Sequence, residues 1–254
     1  MKSSLQLWSL RTAIEAIGWE DTLRRLPTIG WSTVEPFAVD IMGTHIVSSQ
    51  AGDVRLAAPT CHGFLEADRV EATLAAAAAM GARTVFHPHF APEWWADESA
   101  IARTASTLTT AARLAAGHGI TVGFHNHDFE LTHTVHGVPA FELLLDSVPA
   151  DVVVEYDLYW AMIAGLDPAV EVRRLGDRLG AVHIKDAHTA GPVPRQCALG
   201  EGDVDIDGAL AAAPQDALVV LSLDLMAGDA AALWRAVETS RAWLDTRGIT
   251  CWVQ

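Results

Sequence analysis

Short apolar runs alternate with longer amphipathic stretches along nearly the whole chain. The runs at 5–10, 32–37, 57–62, 83–87, 120–125, 152–157, 181–185 and 217–223 have the length and β-branched or aromatic content of buried strands. Between most of them lie segments with helical spacing of apolar positions, at 20–29, 66–80, 98–117, 139–147, 168–176, 206–213 and 230–245. Several open with helix-start chemistry, as at Asp97 before Glu98 and at Asp167-Pro168, and some close on glycine, as at Gly81 and Gly119. The stretch 41–56 fits this rhythm least. Gly43, Gly52 and its scattered serines suggest a loop or a truncated helix there.

Strands that alternate with helices must pair in parallel, because parallel neighbours need crossover connections. Eight strand candidates make a closed (β/α)8 barrel the natural solution, with a degenerate second helix. The rival, a doubly wound open sheet, lacks a Gly-x-Gly-x-x-Gly after the first strand. No linker or break in composition divides residues 1–254, so one domain is expected. A barrel gathers its chemistry at the carboxyl ends of its strands. Of eleven histidines, seven fall at or just past such ends: His62, His87, His89, His125, His127, His183 and His188.

Composition narrows the partners. The 254 residues include 17 Lys+Arg against 32 Asp+Glu, a net charge of −15 that repels nucleic acid and anionic membrane surfaces. Cys61, Cys197 and Cys251 are widely spaced and odd in number, which reads as free thiols in a reducing compartment. The beginning of the chain lacks the continuous apolar stretch of a signal peptide, and the longest small-apolar run, 74–80, is far too short to span a bilayer. The expectation is a cytoplasmic protein with a small-molecule partner, with a homodimer as the simplest assembly.

The densest chemistry is "GFHNHDFEL" at 123–131, which loads His125, His127, Asp128 and Glu130 onto the end of an apparently buried strand. A core strand has no use for such groups, since an unpartnered buried polar group costs a few kcal/mol. In "VVVEYD" the period of two puts Val153, Glu155 and Asp157 on one face; in "AVHIKD" it groups His183 with Lys185, and in "VVLSLDL" Ser222 with Asp224. Neighbouring strand ends thus offer Glu130, Asp157, His183 and Asp224, three carboxylates and an imidazole suited to Mn, Co, Mg or Zn. The plainer alternative is that these are strand-end polar groups bonded to loops and water.

The motifs "LQLWSLR" (5–11), "IGWSTVEPF" (29–37), "HNHDFE" (125–130), "VVEYDLYWA" (153–161), "DRLGAVHIKD" (177–186) and "LGEGDVD" (199–205) resemble, in order, those of the xylose isomerase-like TIM barrels. That family includes the sugar phosphate isomerases/epimerases and the family 2 AP endonucleases. The resemblance implies a TIM barrel and a metal held by a strand-five carboxylate, Asp157, His183 and a strand-eight carboxylate. This chain departs from the pattern twice. Many relatives carry their strand-five Glu where His125 stands, so either Glu130 reaches back or His125 or His127 ligates. Relatives also show Glu where this chain has Ser222, and only Asp224 is kept.

The function so implied is a metal-dependent isomerase or epimerase acting on a sugar, keto-sugar or cyclitol through a metal-stabilised enediolate. His127 or Glu130 would remove the proton, and Lys185 or His87 would return one. A lyase or dehydratase starting from the same enolate is the alternative, and an inactive sugar-binding relative is a third reading, suggested by Ser222. Substrate contacts are expected from Trp8, Glu35, His62, His87, Trp160 and Arg195. Each also has a structural explanation: loop capping for Glu35, packing for the tryptophans, solvation for Arg195, and pairing with Asp186 or Glu155 for Lys185. In "GEGDVD" the acidic neighbours Glu201, Asp203 and Asp205 argue against a phosphate grip and for a turn and helix cap, so a non-phosphorylated substrate is expected.

Overall fold

The computed structural model describes residues 1–39, 54–191 and 194–251. The expectation of a loop or degenerate helix at 41–56 falls mostly outside those residues. Eight parallel strands form the barrel wall: β1 (Lys2–Gln6), β2 (Val34–Glu35), β3 (Thr60–His62), β4 (Thr84–His87), β5 (Thr121–His125), β6 (Val153–Asp157), β7 (Leu179–Ile184) and β8 (Leu218–Leu221). Pairing runs β3-β4-β5-β6-β7-β8-β1, and β2 pairs with β1. The wall nearly closes between β2 and β3, through a parallel bridge from Thr33 to Ala57 and a 2.7 Å bond from the His62 amide to the Pro36 carbonyl. A short strand, Thr250–Cys251, extends the sheet beside Lys2 and Ser3.

Helices cover the outside. The longer ones are α1 (Arg11–Thr28), α2 (Val70–Met80), α3 (Glu98–Ala116), α4 (Ala140–Ser147), α5 (Pro168–Leu175), α6 (Ile206–Ala212) and α7 (Ala230–Thr246). Their starts follow the expected capping chemistry. Asp97 accepts from the Ala100 amide at 2.8 Å, Asp229 from Ala232 at 2.8 Å, and Asp167 caps α5 ahead of Pro168. The first βα unit differs from the expected one. The run 5–10 is a strand only to Gln6, because the Gln6 side chain accepts from the Trp8 amide and starts a 3-10 turn over Leu7–Leu10. Helix α1 then begins at Arg11 rather than near residue 20, and Gly18 (φ 81°) kinks it.

The floor of the barrel is apolar. Phe86, Ala181, Leu218 and Val220 are buried together against Val153. Phe86 lies across β5 so closely that a Cβ on Gly123 would meet its ring at 2.4 Å and the Val153 carbonyl at 2.7 Å. A glycine at 123 is therefore a packing requirement. Above this plug the inward side chains turn polar, which is where the site begins. Among the described residues no helix is long and apolar enough to cross a membrane, and all three cysteines are free.

Candidate metal centre and the cleft above it

Four strands deliver the central cluster. His62 ends β3, His125 ends β5, Glu155 sits in β6 opposite His125, and His183 sits in β7 opposite Asp157. All four are buried, and their ligand atoms lie within 4.8 Å of one another. One carboxylate oxygen, Glu155 Oε2, gathers the imidazoles: His62 Nε2 at 2.5 Å, His125 Nδ1 at 3.0 Å and His183 Nε2 at 3.1 Å. The other oxygen, Oε1, is buried without a partner. Glu35 closes the second side. It accepts from Gln6 Nε2 at 3.0 Å, from the Thr60 hydroxyl at 2.6 Å and from His183 Nε2 at 2.8 Å.

The electrostatics of this cluster follow from burying two carboxylates beside three imidazoles. Burial and the neighbouring Glu155 raise the Glu35 carboxyl. Burial acts the same way on Glu155, yet His183 and His62 hold that group well below the usual carboxylate range. Burial opposes charge on His183, but Glu155 and Glu35 push its imidazole up to about 10. His125 goes the other way, lowered by burial and by His183. The counter-charge of the two carboxylates is greatest at His183, which favours the protonated form of that imidazole.

Three imidazoles and a carboxylate whose second oxygen is buried without a partner fit a divalent transition ion. The set expected from the sequence, Glu130, Asp157, His183 and Asp224, is not brought together: only His183 enters the cluster. Asp157 Oδ2 borders it, 3.7 Å from His125 Nε2 and 3.8 Å from His183 Nδ1, while its Oδ1 caps the helix Leu158–Ile163. Lys185 is the physical reason. Its fully buried ammonium lies 2.7 Å from Asp157 and 2.8 Å from Asp224, so a cation already bridges these carboxylates. Lys185 pairs with neither Asp186 nor Glu155. Asp186 instead clamps the loop "LGEGDV", accepting from the amides of Gly200 (2.8 Å), Gly202 (3.0 Å) and Val204 (3.2 Å). The segment is a turn, with Asp205 capping α6.

Above the cluster opens a cleft of about 300 Å³. Its walls include Trp8, Phe37 and Phe64 on one side and His62, His125 and His183 at the base; Ser222, Asp224, His89 and His127 also face it. No lysine or arginine among the described residues lines it. Asp224 is held low by Lys185 and by a 2.8 Å bond from Gln196, against the burial that would raise it. Trp8 is 46 % exposed and packs edge-on against Phe37. Glu130 lies behind His127, fully buried, with Oε2 accepting from the His127 amide at 2.8 Å.

The other candidates lie off the cleft. His87 is sealed away, with Nδ1 accepting from the Leu65 amide at 3.1 Å, Nε2 donating to the His89 carbonyl at 3.1 Å, and its ring stacked on Phe90. Trp160 packs against His127 and over Lys185. Arg195 is exposed on the hairpin of Asp186–His188 and Arg195–Cys197. Glu155 carries the cluster, whereas the sequence suggests for it only a pairing with Lys185. The signal was its shared face with Asp157, one period deeper.

The chain belongs to the xylose isomerase-like TIM barrel family, whose model matches residues 46–216. None of the curated proteins matches it. Among solved structures it resembles a sugar phosphate isomerase/epimerase from Parabacteroides distasonis ATCC 8503, with a TM-score of 0.73, 20 % identity and coverage of 96 % of this chain and 93 % of that one. The probable 3-DHS dehydratase AsbF from Bacillus anthracis matches with a TM-score of 0.72 at 15 % identity, covering 97 % and 100 %. The IOLI protein with a bound zinc atom matches with a TM-score of 0.72 at 14 % identity, covering 96 % and 97 %. At these identities the likeness is one of fold.

Proposed function

We propose that this protein is a divalent-metal-dependent isomerase or epimerase of an uncharged sugar, keto-sugar or cyclitol. The observation that carries the reading is the buried cluster of His62, His125, Glu155 and His183 at the base of an open cleft. An ion held there would polarise a substrate carbonyl and acidify the neighbouring C–H. An imidazole-rich donor set favours zinc or cobalt over magnesium, and the zinc-bearing IOLI fold relative agrees with that choice. In this reading Asp224, a carboxylate lining the same cleft as the cluster's histidines, would take the proton. Lys185 keeps it ionised and fixes its position. Trp8, Phe37 and Phe64 offer aromatic faces to the C–H side of a sugar ring. Among the described residues no lysine or arginine lines the cleft, which suits a substrate without phosphate.

Elimination of a β-oxygen is the second reading. Ser222 lines the cleft where the resemblance places a second carboxylate, which removes one group able to reprotonate the substrate. Protein reconstituted with Zn²⁺ or Co²⁺ should exchange solvent deuterium into one member of a panel of ketoses and inososes, and Glu155→Gln should abolish the exchange. Unchanged product mass would indicate isomerisation, and loss of water elimination. Metal-loaded protein that exchanges no substrate proton, or a Glu155→Gln variant as active as wild type, would refute the proposal.

A further inference from the structure

We propose that His89, His127 and Glu130 form a second divalent-metal site at the barrel mouth, of the zinc class and independent of the inner cluster. His89 follows β4, and His127 and Glu130 follow β5; their ligand atoms lie within 4.8 Å of one another. This site goes beyond the proposed isomerase chemistry and does not depend on it.

The argument begins with Glu130. It is fully buried, and Oε2 is locked by the His127 amide at 2.8 Å, which leaves Oε1 aimed toward the imidazole of its own turn. Glu130 Oε1 has no hydrogen-bond partner, although it stands only 3.7 Å from Nδ1 of His127, the side chain that faces the Glu130 amide across the capping box. A buried carboxylate oxygen with no donor is costly, and the gap is too wide for a hydrogen bond. It is close to the separation of about 3.4 Å expected for two donors about 2.1 Å from a tetrahedral zinc.

The imidazole is held in place for this role. The His127 ring stacks on Phe129 at 6.0 Å and meets Trp160 at 5.7 Å. His89 stands edge-on to it at 5.3 Å and is the exposed member of the three. His89 and His127 both face the cleft. An ion on these three groups would therefore keep its fourth position open to the cleft, the arrangement of a reactive rather than a purely structural zinc site. His127 and Glu130 then serve as ligands instead of as a free base with its orienting carboxylate.

The test is zinc stoichiometry by elemental analysis, on full-length protein stripped with chelator and reloaded with Zn²⁺ alone, with Co²⁺ absorption as a second readout of ligand number. Wild type should hold two ions per chain. Glu130→Gln, which keeps the bond to the His127 amide, and His89→Ala, which alters only an exposed side chain, should each weaken one of the two by at least about tenfold. His183→Ala should lose the other ion and retain this one. A wild type with a single ion, lost in Glu130→Gln but kept in His183→Ala, would uphold the mouth site while removing the inner one. Zinc uptake unchanged in both Glu130→Gln and His89→Ala, or a wild type whose only ion disappears in His183→Ala, would overturn the proposal.

Discussion

Replacing Lys185 with methionine should expose how the barrel copes with two carboxylates where the resemblance implies metal ligands. The ammonium is fully buried, 2.7 Å from Asp157 and 2.8 Å from Asp224, and the Trp160 and Tyr159 rings lie 5.4 and 5.8 Å from it. Methionine preserves most of the volume and removes the charge. The charge-assisted hydrogen bond to Asp224 contributes about 1.5–3 kcal/mol, and breaking a buried ion pair such as that with Asp157 typically costs about 3–5 kcal/mol because the partner charge stays uncompensated. Asp157 is sealed from solvent, whereas the Asp224 side chain is 19 % exposed and recovers some hydration. The net loss should be about 4 kcal/mol, a fall in Tm of roughly 8–16 °C for a domain of this size.

Thermal unfolding in chelator would measure that loss. The same scan with Mn²⁺ should recover part of it, because Asp157 and Asp224, beside His183, would then face a cation again. A variant that melts within a degree or two of wild type in chelator would refute the view that Lys185 stands in for a cation.

Other outcomes follow from the same geometry. Burial lowers the His87 imidazole to about 3, so its neutral form is the folded one. Its contribution is present above the unfolded value of 6.5 and is lost as pH falls toward 3. Between pH 7 and 5 this residue alone should cost wild type about 2 kcal/mol, and urea unfolding of His87→Gln should lack that component; identical pH slopes would contradict it. Gly123→Ala would press a methyl into the Phe86 ring and the Val153 carbonyl. It should destabilise the barrel by at least about 1–3 kcal/mol, read as a lower denaturation midpoint. Trp8→Ala, at a half-exposed cleft wall, should raise KM several-fold while leaving Tm nearly unchanged; a reduced kcat with constant KM would argue against a stacking role.

Much of the architecture was legible along the chain, because the period of two in the strands and the caps at Asp97 and Asp167 are local properties. The exception was the first βα unit. There Gln6 ends the strand with a bond to the Trp8 amide, a side-chain interaction that the alternation of residues 5–10 conceals. The location of the chemistry was also legible, since a parallel barrel must present its carboxyl strand ends together, and six of the seven strand-end histidines were in or near those ends for that reason; His188 lies instead in the hairpin Asp186–His188.

Partnership among these groups was a matter for the folded chain. Asp157 and Asp224 look like ligands in the sequence, and Lys185, two residues beyond His183, looks like an acid or a partner for Asp186 or Glu155. Only the wrapping of β6, β7 and β8 puts that ammonium between the two carboxylates. The same wrapping turns Glu155 toward three imidazoles that lie 93, 30 and 28 residues from it along the chain. Periodicity determines which face a side chain occupies. Which charges meet on that face depends on strand register and on the depth of each residue in the barrel, and these are set by packing over Phe86 and Gly123 at its floor.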